Sequence, residues 1–254
     1  MKSGEQAIQG IPSIEDSLEE RLIEHIGRHR LTTRLIWPYV VSLRDTPTFE
    51  IVKALRSLSK RGIVKAFPLH QGRFYFTLTK PAAAKRIDSE LVGGQFSDGG
   101  KLKAFARLLL ATKYTPIQSP ISKANLLELW GSIANGLPDG FYTRDGKPTV
   151  YGFLRIDACI SSSASRAAQQ LRNDIFRFVK IRSIVELIKA KRFELSLVAA
   201  TQFRAEAIMQ RFRAYERVGA TPVNMIVLPE LLPLLTSVPI GAEEEGNTVK
   251  TNKS

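Results

Sequence analysis

Residues 46–79 read TPTFEIVKALRSLSKRGIVKAFPLHQGRFYFTLT, and this stretch decides the fold of the first part of the chain. Thr46 and Pro47 are typical helix-entry residues and Gly62 is a typical exit residue, so we predict a helix between them. Helical spacing places its apolar residues on one face. The opposite face receives three cations, which are Lys53, Arg56 and Lys60.

The residues after Gly62 predict a β-hairpin, because two short β-rich runs are joined by a loop that carries proline and glycine. Before residue 46, Ser17 and Glu20 fit a capping box at the start of a first helix, and a second short helix is predicted from about Leu31. Three helices followed by a hairpin is the order of a winged helix-turn-helix. In that fold the third helix enters the major groove of DNA.

The charge of the chain supports a polyanionic partner. Thirty-seven Lys and Arg residues stand against 24 Asp and Glu residues, which leaves a formal net charge of +13. Nucleic acid is the leading partner class and a membrane surface is the second. The alternatives are a solvated helix face and a protein-interaction module. The residues predicted to contact DNA are Lys53, Arg56, Lys60, Arg61, Lys65 and Arg73.

Composition shifts divide the chain into five segments. Residues 1–14 are predicted to be a flexible N-terminus, and residues 15–90 a winged-helix DNA-binding domain. Residues 91–114 contain a glycine-rich linker and a connecting helix. Residues 115–240 alternate between helix and strand signals, which is typical of an α/β domain. Residues 241–254 lack apolar content and are predicted to be disordered.

Two aspartates in the second domain lie where a metal-dependent nuclease places its carboxylates. Asp139 lies in the turn GLPDG, and Asp157 ends the apolar run GFLRID. With Glu194 as a third carboxylate, they form the predicted catalytic set, in which Asp139 and Asp157 hold Mg²⁺ or Mn²⁺. The expected lysine two residues after Asp157 is absent, since that position is Cys159.

Several alternatives remain open for these and other polar residues. Asp139 is equally typical of a surface turn, and Asp157 of a strand end. Glu128 is a further candidate acid, and Lys147 and Lys191 are candidate cations. Two other patterns are weaker. His25 and His29 form a pair at i, i+4, which is a possible zinc spacing, and Tyr142 and Tyr151 lie near the aspartates as candidate nucleophiles.

Over residues 20–235 the order of these segments resembles the replication-relaxation family of plasmid and mobile-element proteins. The first part is similar in LTTRLI, IVKALRSLSKRGIVKAF and RFYFTLT. In the second part, LPDGF resembles the family's Pro-Asp turn and GFLRIDACIS its apolar strand that ends in acid-x-acid. FELSLVAATQFRAEAI resembles its later strand, which leads to an arginine, here Arg204.

The resemblance implies a second domain of PD-(D/E)xK restriction-endonuclease type, hence an α+β chain with an N-terminal winged helix. It also implies a role at plasmid origins, as in MobC-like mobilization proteins. Arg155 stands where the family tends to carry Glu, and Gln170 and Arg172 are the nearest occupants of the expected lysine position on the following helix. Asp139 and Asp157 are the positions that match.

Two functions follow from these observations. The first is a site-specific, Mg²⁺-dependent DNA nickase of relaxase type, or an accessory in the relaxosome, for plasmid mobilization, conjugation or replication. The second is a non-enzymatic winged-helix regulator whose nuclease-like domain is inactive and serves dimerisation. Both imply double-stranded DNA as partner, with other mobilization or replication proteins and a homodimer as further partners. We expect a cytoplasmic protein, since no signal-peptide pattern opens the chain, and no membrane partner, since its apolar runs are too short to span a bilayer.

Overall fold

The computed structural model describes residues 17–85, 93–114, 118–144, 146–158, 162–216 and 221–236. The helices in these ranges are α1 (Leu18–His29), α2 (Thr48–Lys60), α3 (Lys80–Ala84), α4 (Asp98–Thr112), α5 (Lys123–Trp130), α6 (Ala164–Phe178), α7 (Arg182–Lys189), α8 (Gln202–Arg213) and α9 (Leu232–Thr236). The strands are β1 (Thr32–Thr33), β2 (Val64–His70), β3 (Arg73–Leu78), β4 (Gln118–Pro120), β5 (Phe141–Arg144), β6 (Val150–Ile156), β7 (Phe193–Ala199) and β8 (Asn224–Val227). Short 3-10 turns occur at Trp37–Tyr39, Gly131–Gly136 and Pro229–Leu231.

Helices α1 and α2 pack beside a small antiparallel sheet with the strand order β1-β3-β2. The predicted capping box is confirmed, because the Ser17 hydroxyl accepts from the Glu20 amide and the Glu20 carboxylate accepts from the Ser17 amide. The predicted hairpin is also confirmed, with β2 and β3 paired antiparallel. Its turn is Gln71–Gly72, and both residues have positive φ, 47° and 72°. Two positive φ values match the twist of antiparallel strands in a two-residue turn.

The second helix predicted from Leu31 is absent from the described structure. Thr32 and Thr33 instead form β1, which pairs with β3 at Phe76 and Tyr75. Both threonines are buried, and Trp37 Nε1 donates a 3.1 Å hydrogen bond to Thr32 Oγ1. β-branched residues favour such a strand, and burial against the hairpin outweighs the local helix signal.

A five-stranded mixed sheet with the order β4-β5-β6-β7-β8 organises the second half of the chain. Strands β4, β5 and β6 are antiparallel, whereas β7 is parallel to β6 and β8 is parallel to β7. Helix α6 lies between β6 and β7 in the chain, and α8 lies between β7 and β8. These two helices also pack against each other.

The two faces of this sheet belong to two different cores, because successive strand residues point to opposite sides. Phe153 of β6 and Leu197 of β7 face the core formed with α6 and α8. Leu154 and Val198 face the other core. That second core continues without a break into α1, α2 and the small sheet.

Helix α4 lies in this shared core. Seven of its residues are buried, and they include Leu102, Phe105, Leu108 and Leu109. The segment that the sequence predicts as a linker and connecting helix therefore contains a helix that is buried on most sides, with Lys103 exposed. Such a helix is stable when protein covers it on most sides.

The protein is a mixed α+β chain, as the sequence predicts. None of the helices in the described ranges combines the length and the apolar character that crossing a bilayer demands. The predicted flexible N-terminus at residues 1–14, the predicted tail at residues 241–254 and Cys159 lie outside the described residues.

Candidate functional site

One face of α2 carries cations and the opposite face is buried. Ile51, Leu55 and Leu58 are at most 1% exposed and fill the core, as their spacing predicts. The opposite residues are exposed. We call them the α2 face, which consists of Phe49, Lys53, Arg56 and Lys60. These four residues border an open depression in the surface, together with Arg34 and Arg61.

The cations of the α2 face are available for an external partner. Lys53, Arg56 and Lys60 form no ion pair with any residue in the described part of the chain. Arg61 differs, since its Nη2 lies 2.5 Å from Glu19 Oε2 on α1. Phe49 is 69% exposed at the second residue of the helix, which is unusual for a phenylalanine.

The hairpin adds two exposed cations. Arg73 lies at the tip of the hairpin, where it is paired with His70 across the two-residue turn. Lys65 lies at the opposite end, with its Nζ 5.4 Å from the centroid of the Phe67 ring. Both side chains are exposed. The six residues that the sequence predicts as DNA contacts are therefore all exposed, and five of them have no ion-pair partner among the described residues.

The predicted metal ligand Asp157 is bound by an arginine. Asp157 directly follows β6, and its amide donates to Val198 O and so continues the pairing with β7. Arg204, in the first turn of α8, donates from Nε to Asp157 Oδ2 at 2.7 Å and from Nη2 to Oδ1 at 3.3 Å. The carboxylate is 8% exposed. Both oxygens that would ligate a cation therefore face a guanidinium.

Glu194 lies far from Asp157. It is paired with Gly152 in the register between β6 and β7, five residues before Asp157. At the rise of a β-strand this separation is about 16 Å. Glu194 accepts hydrogen bonds from Tyr142 Oη at 2.6 Å and from Arg144 Nη2 at 2.9 Å. The structure therefore does not bring Glu194 into the predicted catalytic set.

Tyr142 is a packing residue with a satisfied hydroxyl. Its side chain is 2% exposed and belongs to the shared core. Burial raises the pKa of its phenol, and the hydrogen bond to Glu194 raises it further. A nucleophilic tyrosine needs a hydroxyl that ionises readily, so this environment does not favour that role.

Asp139 is exposed in the turn that precedes β5. The next residue, Gly140, accepts a 2.9 Å hydrogen bond from the Leu154 amide through its carbonyl, so the turn lies near the end of β6. The charged group that interacts electrostatically with Asp139 here is the guanidinium of Arg107 on α4. Within the described ranges, no group of three or more His, Cys, Asp or Glu side chains is arranged to hold a metal ion.

A second buried ion pair lies beside the first. Arg155 of β6 donates from Nε to Asp174 Oδ2 at 2.6 Å, and its Nη2 contacts the same oxygen. Asp174 is 1% exposed and lies on α6 among Leu171, Ile175 and Phe178. Burial raises the pKa of Asp174, and the hydrogen bonds and charge of Arg155 oppose that shift.

Sequence reasoning missed this pair, although a signal was present. Asp174 is an acid at helical spacing among the apolar residues that α6 buries, and such an acid demands a cationic partner. Arg155 is that partner. The remaining candidates Glu128, Lys147 and Lys191 are exposed.

Of the predicted histidine pair, His25 is buried and His29 is half-buried. The rings of His25 and His29 on α1 have centroids 4.9 Å apart. Burial lowers the pKa of His29 to about 4, with a smaller contribution from Arg28. The pKa of His25 lies well below its usual value, mainly through burial and then through the charges of His29 and Arg28.

Comparison of the chain with protein-family models, with curated proteins and with solved structures gave no match.

Proposed function

We propose that this protein binds double-stranded DNA through the α2 face, with α1, α2 and the β2–β3 hairpin acting as a winged helix-turn-helix. The observation that supports this proposal is that Lys53, Arg56 and Lys60 are exposed on one side of a helix whose opposite side is buried in the core. In such proteins the recognition helix lies in the major groove.

The chemistry of the α2 face fits a DNA groove. Lysine and arginine neutralise phosphates and release counterions, which supplies affinity that falls with salt. Phe49 lies at the N-terminal end of α2, where recognition helices contact base edges. An apolar side chain at this place can contact a thymine methyl group. Arg73, at the tip of the hairpin, is placed to reach the flanking phosphates.

The experiment that tests DNA binding is a salt titration of duplex affinity. Changing Arg56 and Lys60 together to alanine is expected to flatten the slope of log K against log salt by about 2, because each phosphate contact contributes about 0.9. Fluorescence anisotropy with a labelled duplex at several salt concentrations measures this slope.

Two controls make that measurement specific. Lys180→Ala with Arg182→Ala removes the same charge from exposed positions on and beside α7, and it should leave the slope nearly unchanged. Phe49→Ala should weaken binding without flattening the slope, because it removes no charge. Equal slopes for wild type and the Arg56, Lys60 double variant would refute binding through α2.

We further propose that the five-stranded sheet has the fold of a PD-(D/E)xK endonuclease but not its activity. Support for the fold is the antiparallel set β4-β5-β6, followed in the chain by helices α6 and α7 and then by β7, which is parallel to β6. Support for inactivity is the bidentate contact of Arg204 with Asp157 and the distance of Glu194 from it. A guanidinium cation already balances the carboxylate that a Mg²⁺ ion would need.

The inactive-site proposal predicts the outcome of a Mn²⁺ titration. Calorimetric titration of the wild type is expected to show heats of dilution alone, equal to those of Asp157→Ala, because a metal ion would have to displace Arg204 from a buried carboxylate. Saturable Mn²⁺ binding by the wild type that Asp157→Ala abolishes would contradict this proposal. It would support the nickase function instead.

The biological setting of this DNA binding rests on the resemblance to the replication-relaxation family. We propose an accessory or regulatory protein in plasmid or mobile-element replication or mobilization. Homodimerisation and contacts with other proteins of these processes belong to the same proposal.

A further inference from the structure

Two arginines lie close enough for their charges to influence each other, near the turn that precedes β5. Arg107 projects from α4, and Arg30 follows α1 in the left-handed conformation with φ of 70°. The Nε of each guanidinium is buried and has no hydrogen-bond partner among the described residues. Neither residue takes part in the ion pairs of the described chain.

This arrangement is unfavourable for the protein alone. A buried donor without a partner costs about 1–3 kcal/mol, and more when it is charged. The two guanidinium groups also repel each other. Burial lowers the pKa of Arg107 and the charge of Arg30 lowers it further, while Asp139 acts in the opposite direction. One carboxylate near two guanidinium groups leaves an excess positive charge at this place.

The side chains of Arg30 and Arg107 are each partly exposed, so a small anion can reach them from solvent. A Cβ atom on Gly140 would lie 2.8 Å from Leu154 O and 3.5 Å from Arg107 Nη2, so glycine lets the turn before β5 pack closely beside the Arg107 guanidinium. Asp139, next to it, is exposed. The guanidinium carbon of Arg30 lies 5.3 Å from the centroid of the Phe96 ring, which holds that side chain in place.

We propose that Arg30 and Arg107 form a binding site for a phosphate group. The planar guanidinium group of arginine matches the geometry of phosphate oxygens and binds them through paired, charge-assisted hydrogen bonds. A phosphate would supply acceptors to the two unpartnered donors and would balance the excess positive charge. The phosphate can come from a nucleic-acid backbone or from a small phosphorylated ligand. Phosphate binding here does not depend on DNA binding through the α2 face.

The first arm of the test uses inorganic phosphate and the full chain. At constant ionic strength, replacing chloride by phosphate should raise the melting temperature of the wild type in a saturable manner. Arg107→Gln and Arg30→Gln should each abolish most of that rise, whereas Arg182→Gln, a change at an exposed arginine on α7, should keep it. Asp139→Asn should strengthen phosphate binding, because it removes the one nearby negative charge.

The stability of these variants without phosphate separates a ligand site from a structural role. If Arg107 serves a ligand, Arg107→Gln should be as stable as the wild type in chloride, or more stable, because it removes an unpartnered buried charge. A structural arginine would instead lower the melting temperature in both salts by the same amount.

The second arm identifies the source of the phosphate. If it is a DNA backbone, Arg107→Gln should flatten the salt slope of duplex binding by about 0.9, one phosphate contact. If phosphate binding is lost in this variant and the slope is unchanged, the site takes a small phosphorylated ligand. Absence of saturable phosphate binding by the wild type, or its full retention in Arg30→Gln and Arg107→Gln, would overturn the proposal.

Discussion

Replacing Asp174 by alanine is expected to lower the free energy of unfolding by about 3–5 kcal/mol, the usual effect of removing one partner from a buried ion pair. Asp174 is 1% exposed and is the acceptor for two donors of Arg155, which is itself 21% exposed. Without Asp174, the guanidinium would stay beneath α6 with neither a counter-charge nor an acceptor. Urea unfolding followed by circular dichroism at neutral pH measures the loss.

The matched control is a pair with the same chemistry on the surface. Lys189 and Glu186 lie 3.1 Å apart and are 67% and 59% exposed. Such a pair contributes about 0.2–1 kcal/mol because water screens it. Glu186→Ala should therefore change stability by no more than about a third of the Asp174→Ala effect. Similar losses in the two variants would show that Asp174 is solvated in solution.

A double variant tests whether the pair itself adds stability. Arg155→Met combined with Asp174→Leu removes both charges and keeps apolar volume between β6 and α6. Replacement of a whole buried pair by apolar residues is often neutral or stabilising. Much of the Asp174→Ala loss should therefore be recovered in the double variant. The ion pair would then serve to fix the position of α6 on the sheet and would add little net stability.

The first part of the fold was predictable because its signals are local. The periodicity of Ile51, Leu55 and Leu58 lies within α2, and the turn of the hairpin lies in neighbouring residues. The segment from Leu31 could not be predicted in the same way. Its threonines become a strand by pairing with Phe76 and Tyr75, more than 40 residues later in the chain, and no local pattern contains that contact.

The candidate site was less predictable for the same reason. Asp139 and Asp157 could be proposed from the sequence because Asp139 precedes a recognisable strand and Asp157 follows one. The neighbours that decide their chemistry are distant in sequence, since Arg204 reaches Asp157 across 47 residues. Arg107 meets Asp139 from a helix in the predicted linker. Glu194 seemed a third ligand because it begins a strand, but the parallel register of β6 and β7 places it at the other end of the sheet.

The histidines of α1 lead to the second large effect, which is a loss of stability in mild acid. Helix α1 packs against α2, β3 and α4, and His25 lies on its inner side at 6% exposure. In the described part of the chain, the Nε2 of His25 meets no hydrogen-bond partner. A proton added to either ring would place a charge beside Arg28 and beside the other histidine. The folded chain therefore resists protonation that the unfolded chain accepts.

The direction of the pH effect follows from these lowered pKa values. Above pH 6.5 both histidines are neutral in the folded and unfolded states, so they do not influence stability. Below it the unfolded chain binds protons first, and stability falls until the pH reaches the folded pKa, which is about 4 for His29. Between pH 7 and pH 5 His29 should lower the free energy of unfolding by about 2 kcal/mol, and His25 should lower it further.

Urea unfolding of the wild type at pH 7 and pH 5 measures this loss, and His29→Gln should reduce it by about 2 kcal/mol. His25→Met should also reduce the loss and fold normally, since it replaces a buried polar group by an apolar one. His70→Gln changes the third histidine of the chain and leaves the α1 pair intact, so it should keep the full wild-type loss. If His25→Met and His29→Gln both show the wild-type difference, protons bind elsewhere and the α1 histidines are accessible to water.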